Sequence, residues 1–181
     1  MMVSATTAAH VVQEFGPGLK VLDGGECPGG IESAIVDCSA AKPTLLRPGL
    51  LQRAQLEAVL GVPLRERDEQ SPRASGSLKS HYAPAARVRL MSTQQLRDAL
   101  EVLGPQASGL RLAVYSRSRL RAGRGVEQRL MPDEPAAAAH ELFAALREFD
   151  ARGAQLIWVE HPPETADWEG VRDRLTRAAA G

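Results

Sequence analysis

The sequence predicts an α/β protein whose second half, residues 87–181, forms a small Rossmann-like, three-layer domain with a mostly parallel sheet. Strand-like and helix-like segments alternate regularly in this half, which is typical of parallel strands covered by helices. A stretch rich in Pro, Gly and Ser at residues 71–84 separates it from an unlike first half. We therefore predict a division into residues 1–62, a linker at 63–86, and residues 87–181.

The first 62 residues predict two helices and three short strands. Ser4 or Thr6 can cap a helix that ends before Gly16, and Gly61 can end an amphipathic helix at 52–60. The predicted strands are residues 19–22, 31–37 and 44–47, of which the last two pair as a hairpin. These elements cannot bury a good core in about 60 residues, so they are predicted to be the end of a larger domain.

The second half predicts four strands and three helices. Ser92 or Thr93 can cap a helix at 93–103, and Gly104 can end it. A long helix follows at 135–150, because apolar residues there recur at spacings of three and four. The predicted strands are residues 88–91, 110–115, 127–131 and 155–160, and the last helix covers 168–179.

Composition restricts the classes of partner. The chain has 22 basic and 22 acidic residues and a formal net charge of zero, which argues against stable direct binding of nucleic acid. Four arginines at 117–124 could contact tRNA or nucleotide, although a solvated basic loop is the favoured interpretation. No apolar run reaches the roughly 20 residues that span a bilayer, and no secretory signal opens the chain. These features predict a cytoplasmic protein without a membrane partner.

Common catalytic and metal-binding motifs are missing from the sequence. There is no P-loop, no GxGxxG between a strand and a helix, no GxSxG and no HExxH. Cys27 and Cys38 form no CxxC pair and are predicted to be small buried apolar side chains. The four histidines have no metal-ligand spacing, so we predict no metal site and no covalent catalytic residue.

Several segments together carry a family signature. Leu-Asp-Gly-Gly at 22–25, Gly-Ile-Glu-Ser-Ala-Ile-Val-Asp at 30–37 and Leu-Arg-Pro-Gly at 46–49 resemble the closing motifs of YrdC-like domains. The stretch SPRASGSLKSHYAP at 71–84 resembles the linker of the long, two-domain members of that family, the L-threonylcarbamoyladenylate synthases. Residues 134–150, 156–163 and 168–177 resemble the C-terminal domain of that form. The resemblance therefore covers essentially the whole chain.

The resemblance implies a nucleotidyltransferase that makes threonylcarbamoyl-AMP from L-threonine, bicarbonate and ATP and releases pyrophosphate. The product would feed threonylcarbamoyladenosine formation in tRNA, with downstream tRNA-modification proteins as partners. Carried over by motif, Ser33 would bind threonine, whereas Arg47, Thr6 and Ser4 would contact ATP. Tyr82 would close over the substrate from the linker, as part of the ATP site. Mg²⁺ is implied as the ion that bridges the ATP phosphates.

Three of these residues also have simpler interpretations. Ser33 could face solvent, and Arg47 could be a solvated strand end. Tyr82 could fill a groove between domains with its hydroxyl at the surface.

The sequence departs from the family pattern at identifiable places. It contains no Asn, so the Ser-Ala-Asn motif of the family is absent, as is its lysine-and-arginine nucleotide motif. Ala34 stands where the family usually has Thr. We therefore expect the C-terminal piece of a synthase, or a gene start placed too late, with negligible activity alone. The alternative is a non-catalytic module that regulates or docks with the tRNA-modification machinery, with residues 1–60 partly disordered.

Overall fold

A computed structural model describes residues 3–76, 82–104 and 109–181. The first of its two sheets contains β1 (Ile35–Asp37), β2 (Thr44–Arg47) and β3 (Arg65–Glu66). The second contains β4 (Arg87–Met91), β5 (Leu112–Ser116), β6 (Glu127–Leu130) and β7 (Leu156–Glu160). The helices are α1 (Ala8–Phe15), α2 (Arg53–Leu60), α3 (Thr93–Leu103), α4 (Pro135–Ala151) and α5 (Glu169–Ala179), with a 3₁₀ turn at Ala166–Trp168.

The second sheet is parallel throughout, with the strand order β4-β7-β5-β6. All five residues of β5 are buried, as expected for a parallel strand with both faces covered. Each strand predicted after the linker is present within two residues of its expected bounds. The mostly parallel sheet is therefore confirmed.

Alternate residues of β5 divide between two core clusters, because successive side chains of a strand point to opposite faces. Ala113 and Tyr115 belong to the cluster that includes the buried apolar side chains of α4 and α5. Leu112 and Val114 belong to a second cluster with Leu100 of α3. The sheet thus lies between two helical layers, which confirms the three-layer prediction.

Local sequence signals explain where α3 begins. The Ser92 side chain accepts a hydrogen bond from the Gln95 amide at 3.2 Å, and the Gln95 side chain accepts one from the Ser92 amide at 2.8 Å. This reciprocal pair is a capping box, and it satisfies two amides that have no partner inside the helix. The helix has the predicted bounds.

The first sheet contains the predicted hairpin. β1 is antiparallel to β2, with an irregularity between Ile35 and Val36. β3, which the sequence did not predict, lies parallel to β2 on its other side. All four residues of β2 are buried, so this strand is the centre of the sheet.

Several expectations for the first half are wrong. Residues 19–22 form no strand, and Leu22 is fully exposed, because no neighbouring strand pairs with this segment. β1 is shorter than the predicted strand at 31–37. The α1 helix is capped by Thr7 instead of Ser4 or Thr6. Cys27 and Cys38 are both exposed instead of buried.

The N-terminal segment packs directly on α4 and α5. Val3 and Ile31 belong to the same core cluster as those helices. Gly30 has a φ of +67°, and a Cβ there would collide with the α4 backbone at Ala139. A Cβ on Gly170 of α5 would lie 2.7 Å from the Gly49 carbonyl oxygen. The close approach therefore requires small residues on both sides of the contact.

Helix α2 remains outside this core. None of its residues is buried, and Val59 is 87% exposed. The helix still ends as predicted, with Gly61 in the left-handed conformation at φ +71°. No helix in the described ranges is both long and apolar enough to cross a membrane.

Candidate functional site

Arg174 of α5 joins the second half of the chain to the segment before β1. Its side chain is completely buried. It donates to the Glu32 carboxylate at 2.9 Å, the Glu32 carbonyl at 3.0 Å and the Pro48 carbonyl at 3.0 Å. Asp173 accepts a further bond at 2.8 Å. A buried guanidinium with this many acceptors satisfies the rule that buried charges are paired.

Glu32 is held from a second side by Ser4, whose hydroxyl donates to the other carboxylate oxygen. Burial alone would raise the pKa of Glu32, but the hydrogen bonds from Ser4 and Arg174 and the charge of Arg174 outweigh it. The net pKa lies below the ordinary value, so the carboxylate is ionised at neutral pH. Ser4 is itself positioned by Arg147 of α4, which donates to the Ser4 carbonyl at 3.2 Å.

Arg47, at the end of β2, connects the hairpin with the segment at residues 71–76. Its Nε donates to the Ser33 carbonyl at 3.1 Å, and its Nη1 donates to the Ser75 carbonyl at 3.0 Å. Only 6% of Arg47 is exposed, so it is not a solvated strand end. Ser33 is exposed, and its backbone, not its hydroxyl, makes the contact with Arg47.

Tyr82 lies at the centre of these contacts. It is fully buried, with its ring stacked on Phe143 at a centroid distance of 5.2 Å and the Arg174 guanidinium 5.4 Å from the ring centroid. Burial raises the pKa of the phenol, and the opposing charges of Arg174 and Arg47 do not reverse this shift. Its φ of 66° is unusual for a bulky residue and indicates a backbone held by its surroundings. The hydroxyl is therefore not at the surface.

Gly76 lies close to both the Arg47 and the Tyr82 side chains. Its φ is +75°, and a Cβ there would overlap the Tyr82 hydroxyl and lie 2.9 Å from Nη1 of Arg47. Any larger residue would push these two side chains apart. The glycine is thus required by a close approach as well as by its backbone conformation.

Thr6 lies apart from these residues. It is buried, and its amide donates to Nδ1 of His10 at 3.2 Å. Burial and the charge of Arg147 lower the pKa of His10, in agreement with a neutral, accepting ring nitrogen. Thr6 lines a shallow depression of about 190 Å³ together with residues 21–25 and Cys27.

The structure thus brings four of the five residues expected from the sequence into one set of contacts. We define the Arg174 network as Arg174, Glu32, Ser4, Arg47 and Tyr82. Ser33 joins it through its backbone carbonyl.

Sequence reasoning missed Glu32 and Arg174. Arg174 could have been noticed as a charged residue on the apolar stripe of α5, at helical spacing with Val171, Leu175 and Ala178. Glu32 had no signal beyond its place in the motif at 30–37.

A groove of about 630 Å³ runs beside the network, between β2, β3 and α5. Its walls carry both signs of charge. Asp173 and Arg177 pair across 2.7 Å, and Arg172 donates to the Thr165 carbonyl at 2.7 Å. Side chains of the groove are therefore partly neutralised by one another.

Within residues 3–76, 82–104 and 109–181, no group of three or more His, Cys, Asp or Glu side chains is arranged to hold a metal ion.

The fold and the network define an α/β domain on which an N-terminal hairpin is locked by a buried arginine. A family model described as "Threonylcarbamoyl-AMP synthase, C-terminal domain" matches residues 51–180. The chain therefore belongs to the threonylcarbamoyl-AMP synthase family, and it matches the C-terminal part of that family's proteins.

Individual relatives agree with this assignment. The chain is 30% identical to the threonylcarbamoyl-AMP synthase of Bacillus subtilis (strain 168) over 191 residues, which cover 98% of this chain and 54% of the relative. It is similar to the crystal structure of Pyrococcus abyssi Sua5 complexed with L-threonine, with a TM-score of 0.82 and 29% identity. It is also similar to a variant of that protein in which an adjacent His and Tyr are both replaced by Ala, with a TM-score of 0.83 and 27% identity. In both structures the match covers 98% of this chain and 54% of the other. The chain thus spans about half the length of the relatives it matches.

Proposed function

We propose that this chain contributes part of a synthase that makes threonylcarbamoyl-AMP from L-threonine, bicarbonate and ATP, releases pyrophosphate, and serves tRNA threonylcarbamoyladenosine modification in the cytoplasm. In this proposal residues 1–62 end the catalytic domain, residues 63–86 form the linker, and residues 87–181 form the C-terminal domain. The observation that carries it is the Arg174 network, because it ties the segment at 30–37, the linker and α5 into one buried unit.

Arg47 has the central role in this proposal. Its guanidinium already binds two carbonyl oxygens, one from the catalytic motif and one from the linker. A guanidinium is suited to bind phosphate oxygens, so a shift of the linker at Ser75 would release Nη1 toward ATP. Nucleotide would thus compete with the Ser75 carbonyl for Nη1 of Arg47.

Tyr82 is proposed as the residue that holds the linker in place next to the substrates. Its buried ring keeps the phenol neutral, so it can donate a hydrogen bond but carries no charge. The sequence places His81 directly before it, outside the described residues. An adjacent His–Tyr pair is also the pair changed in the P. abyssi variant.

Ser33 is proposed to bind L-threonine, the ligand named for the P. abyssi structure. Its side chain is exposed while its backbone is fixed by Arg47, so the hydroxyl is presented from a rigid position. Ser4 and Thr6 are proposed as nucleotide contacts at two different places. Ser4 lies beside Glu32, to which its hydroxyl donates, and Thr6 lies in the depression beside residues 21–25. Any Mg²⁺ would enter with the ATP phosphates, and no residue of this chain is assigned to it.

Exposed apolar side chains support the proposal that the catalytic domain extends beyond these residues. Nine of the twelve large hydrophobic side chains exposed among the described residues lie before residue 63. Phe15 is 65% exposed, Leu22 is 100% exposed and Val59 is 87% exposed. A surface this apolar is more typical of an interface than of a free face. The part of the relatives that this chain does not span would cover it.

The proposal is tested by following pyrophosphate release with L-threonine, bicarbonate and ATP. We expect negligible release from this chain alone and restored release when the N-terminal half of a relative is added. In that mixture Arg47→Gln should abolish most of the activity, whereas Arg89→Gln, an exposed arginine on β4, should not. Release by this chain alone at the rate of a full-length relative would contradict the expected inactivity. Equal activity of the two variants would contradict the role of Arg47.

A second candidate function is a non-catalytic regulatory or docking module of the tRNA-modification machinery. The observation in its favour is that the core clusters draw almost all their residues from the second half of the chain. In this case the chain would change the activity of a full-length synthase or bind its partner proteins without restoring activity to an N-terminal half. The same mixing experiment separates the two candidates.

A further inference from the structure

We infer that a pocket between α3 and the loop at 117–126 is a binding site for the di- or triphosphate group of a small molecule. This inference goes beyond the proposed function and does not depend on it. The pocket has a volume of about 510 Å³, which lies within the roughly 300–1,000 Å³ range of small-molecule sites. It is lined by Arg97 and Glu101 of α3 and by Arg119, Leu120 and Arg121 of the loop.

The loop is held in place by its apolar residues. It connects the carboxyl end of β5 to the start of β6, and because these strands are parallel it has to run back along the sheet. Leu120 and Ala122 pack on the core cluster beneath α3, whereas Arg119 and Arg121, which alternate with them, are exposed. The alternation therefore turns both arginines away from the core and toward the pocket.

One buried carboxylate fixes both walls of the pocket. Glu160, at the end of β7, is 2% exposed. It accepts hydrogen bonds from the Ser118 amide at 2.9 Å and from the Thr93 hydroxyl at 2.7 Å. Ser118 begins the loop and Thr93 begins α3, so the distance between the two walls is set by a shared anchor. A site built on fixed elements binds with less loss of entropy than one on a mobile loop.

The arginines of the pocket are not neutralised by the rest of the protein. Within the described ranges, Arg97, Arg119 and Arg121 form no ion pair or side-chain hydrogen bond. Arg117 in the same loop differs, because it pairs with Glu160 at 3.5 Å and with Asp133 at 3.9 Å. Residues 1–2, 77–81 and 105–108, which lie outside the described ranges, include no Asp or Glu that could pair with these arginines.

The charge of the pocket identifies the ligand class. Three guanidinium groups face one carboxylate, Glu101, in a chain whose net charge is zero. Guanidinium groups bind phosphate oxygens in a bidentate manner. No aromatic side chain lines the pocket, so the phosphates and not a stacked base would provide the binding energy. The cluster is also too small for the long basic footprint of an RNA backbone, which favours a free polyphosphate or a nucleoside triphosphate.

Calorimetry of this chain with pyrophosphate, tripolyphosphate and ATP, without divalent cations, tests the inference. We expect one pyrophosphate per chain and binding that weakens as salt increases. Arg119→Gln with Arg121→Gln should weaken it by about 100-fold, or about tenfold for each arginine. Glu101→Gln should strengthen it by about threefold, because one repulsive charge is removed. Arg89→Gln serves as the matched control and should have no effect, and urea unfolding checks that each variant is folded.

The three ligands also identify the source of the phosphates. ATP that binds at least tenfold more tightly than tripolyphosphate, by a margin that the double variant loses, supports a nucleoside triphosphate at this pocket. Equal binding of the two ligands supports a free polyphosphate. Absence of pyrophosphate binding would overturn the inference, as would binding that the double variant does not weaken. An RNA oligonucleotide that binds far more tightly than pyrophosphate, and is lost in the double variant, would also overturn it in favour of a nucleic-acid surface.

Discussion

Replacing Arg174 with Met removes a side chain that joins α5 to both the segment before β1 and the turn after β2. The variant keeps an unbranched apolar stem and removes the guanidinium group. It removes the donors to two carbonyl oxygens and to the Glu32 carboxylate. Glu32 keeps its bond from Ser4 but loses its cation and becomes a half-buried, unpaired charge.

The expected cost follows from these contacts. Breaking a buried, hydrogen-bonded ion pair by removing one partner costs about 3–5 kcal/mol. A domain of this size has a total free energy of unfolding of about 5–15 kcal/mol. With a denaturant dependence of about 2 kcal/mol per molar urea, the unfolding midpoint should fall by about 2 M. Arg89→Met, which removes an exposed arginine, should shift it by less than about 0.3 M.

A double-mutant cycle separates the ion pair from the other effects of the substitution. Glu32→Gln alone should destabilise the protein less than Arg174→Met, because it leaves no unpaired buried acid. The two substitutions together should cost less than their sum by about 1–3 kcal/mol, since the second removes a charge that the first had left unpaired. Urea unfolding of the four proteins provides the measurement. Additive effects, or a midpoint unchanged in Arg174→Met, would refute the reasoning.

Three further predictions follow from the same contacts. The lowered pKa of Glu32 contributes stability that is present above its ordinary pKa of 4.5 and is lost as the pH falls through the lower folded value. Glu32→Gln should therefore flatten the loss of stability that unfolding curves show below about pH 5, and an unchanged acid limb would contradict this prediction. Gly76→Ala should displace the buried phenol of Tyr82, so nitration followed by mass spectrometry should modify Tyr82 in the variant only; equal protection in both proteins would count against this packing. Glu160→Gln should speed hydrogen exchange of the Ser118 amide by at least about tenfold, because a neutral side chain is a weaker acceptor than a carboxylate; unchanged exchange would mean that Glu160 does not anchor the loop.

The elements that the sequence predicted best are those with local signals. The bounds of α3 follow from a capping box at Ser92 and from helical periodicity, neither of which needs a distant partner. The strands β5 and β7 were also predicted from a local signal. Each is a nearly continuous run of apolar residues, which is typical of a parallel strand with both faces covered. The segment at 19–22 has a similar apolar character, but it pairs with none of the strands among the described residues and forms no strand.

The candidate site divides in the same way. Ser33, Arg47 and Tyr82 were identified from short motifs, and their simpler interpretations were only partly right. Ser33 does face solvent, but Arg47 is buried and the Tyr82 hydroxyl is not at the surface. The partners that decide these environments lie far along the chain, so no local pattern could have indicated them.

The sequence by itself determined the alternation of strands and helices, the parallel sheet and the family resemblance, because each depends on the order and spacing of nearby residues. The tertiary structure alone decided the strand order β4-β7-β5-β6, since packing of α3 and α4 on opposite faces determines where each crossover returns. It also decided that Arg174 meets Glu32 across 142 positions of sequence. A buried guanidinium needs acceptors from several segments at once, and only the folded chain brings them together.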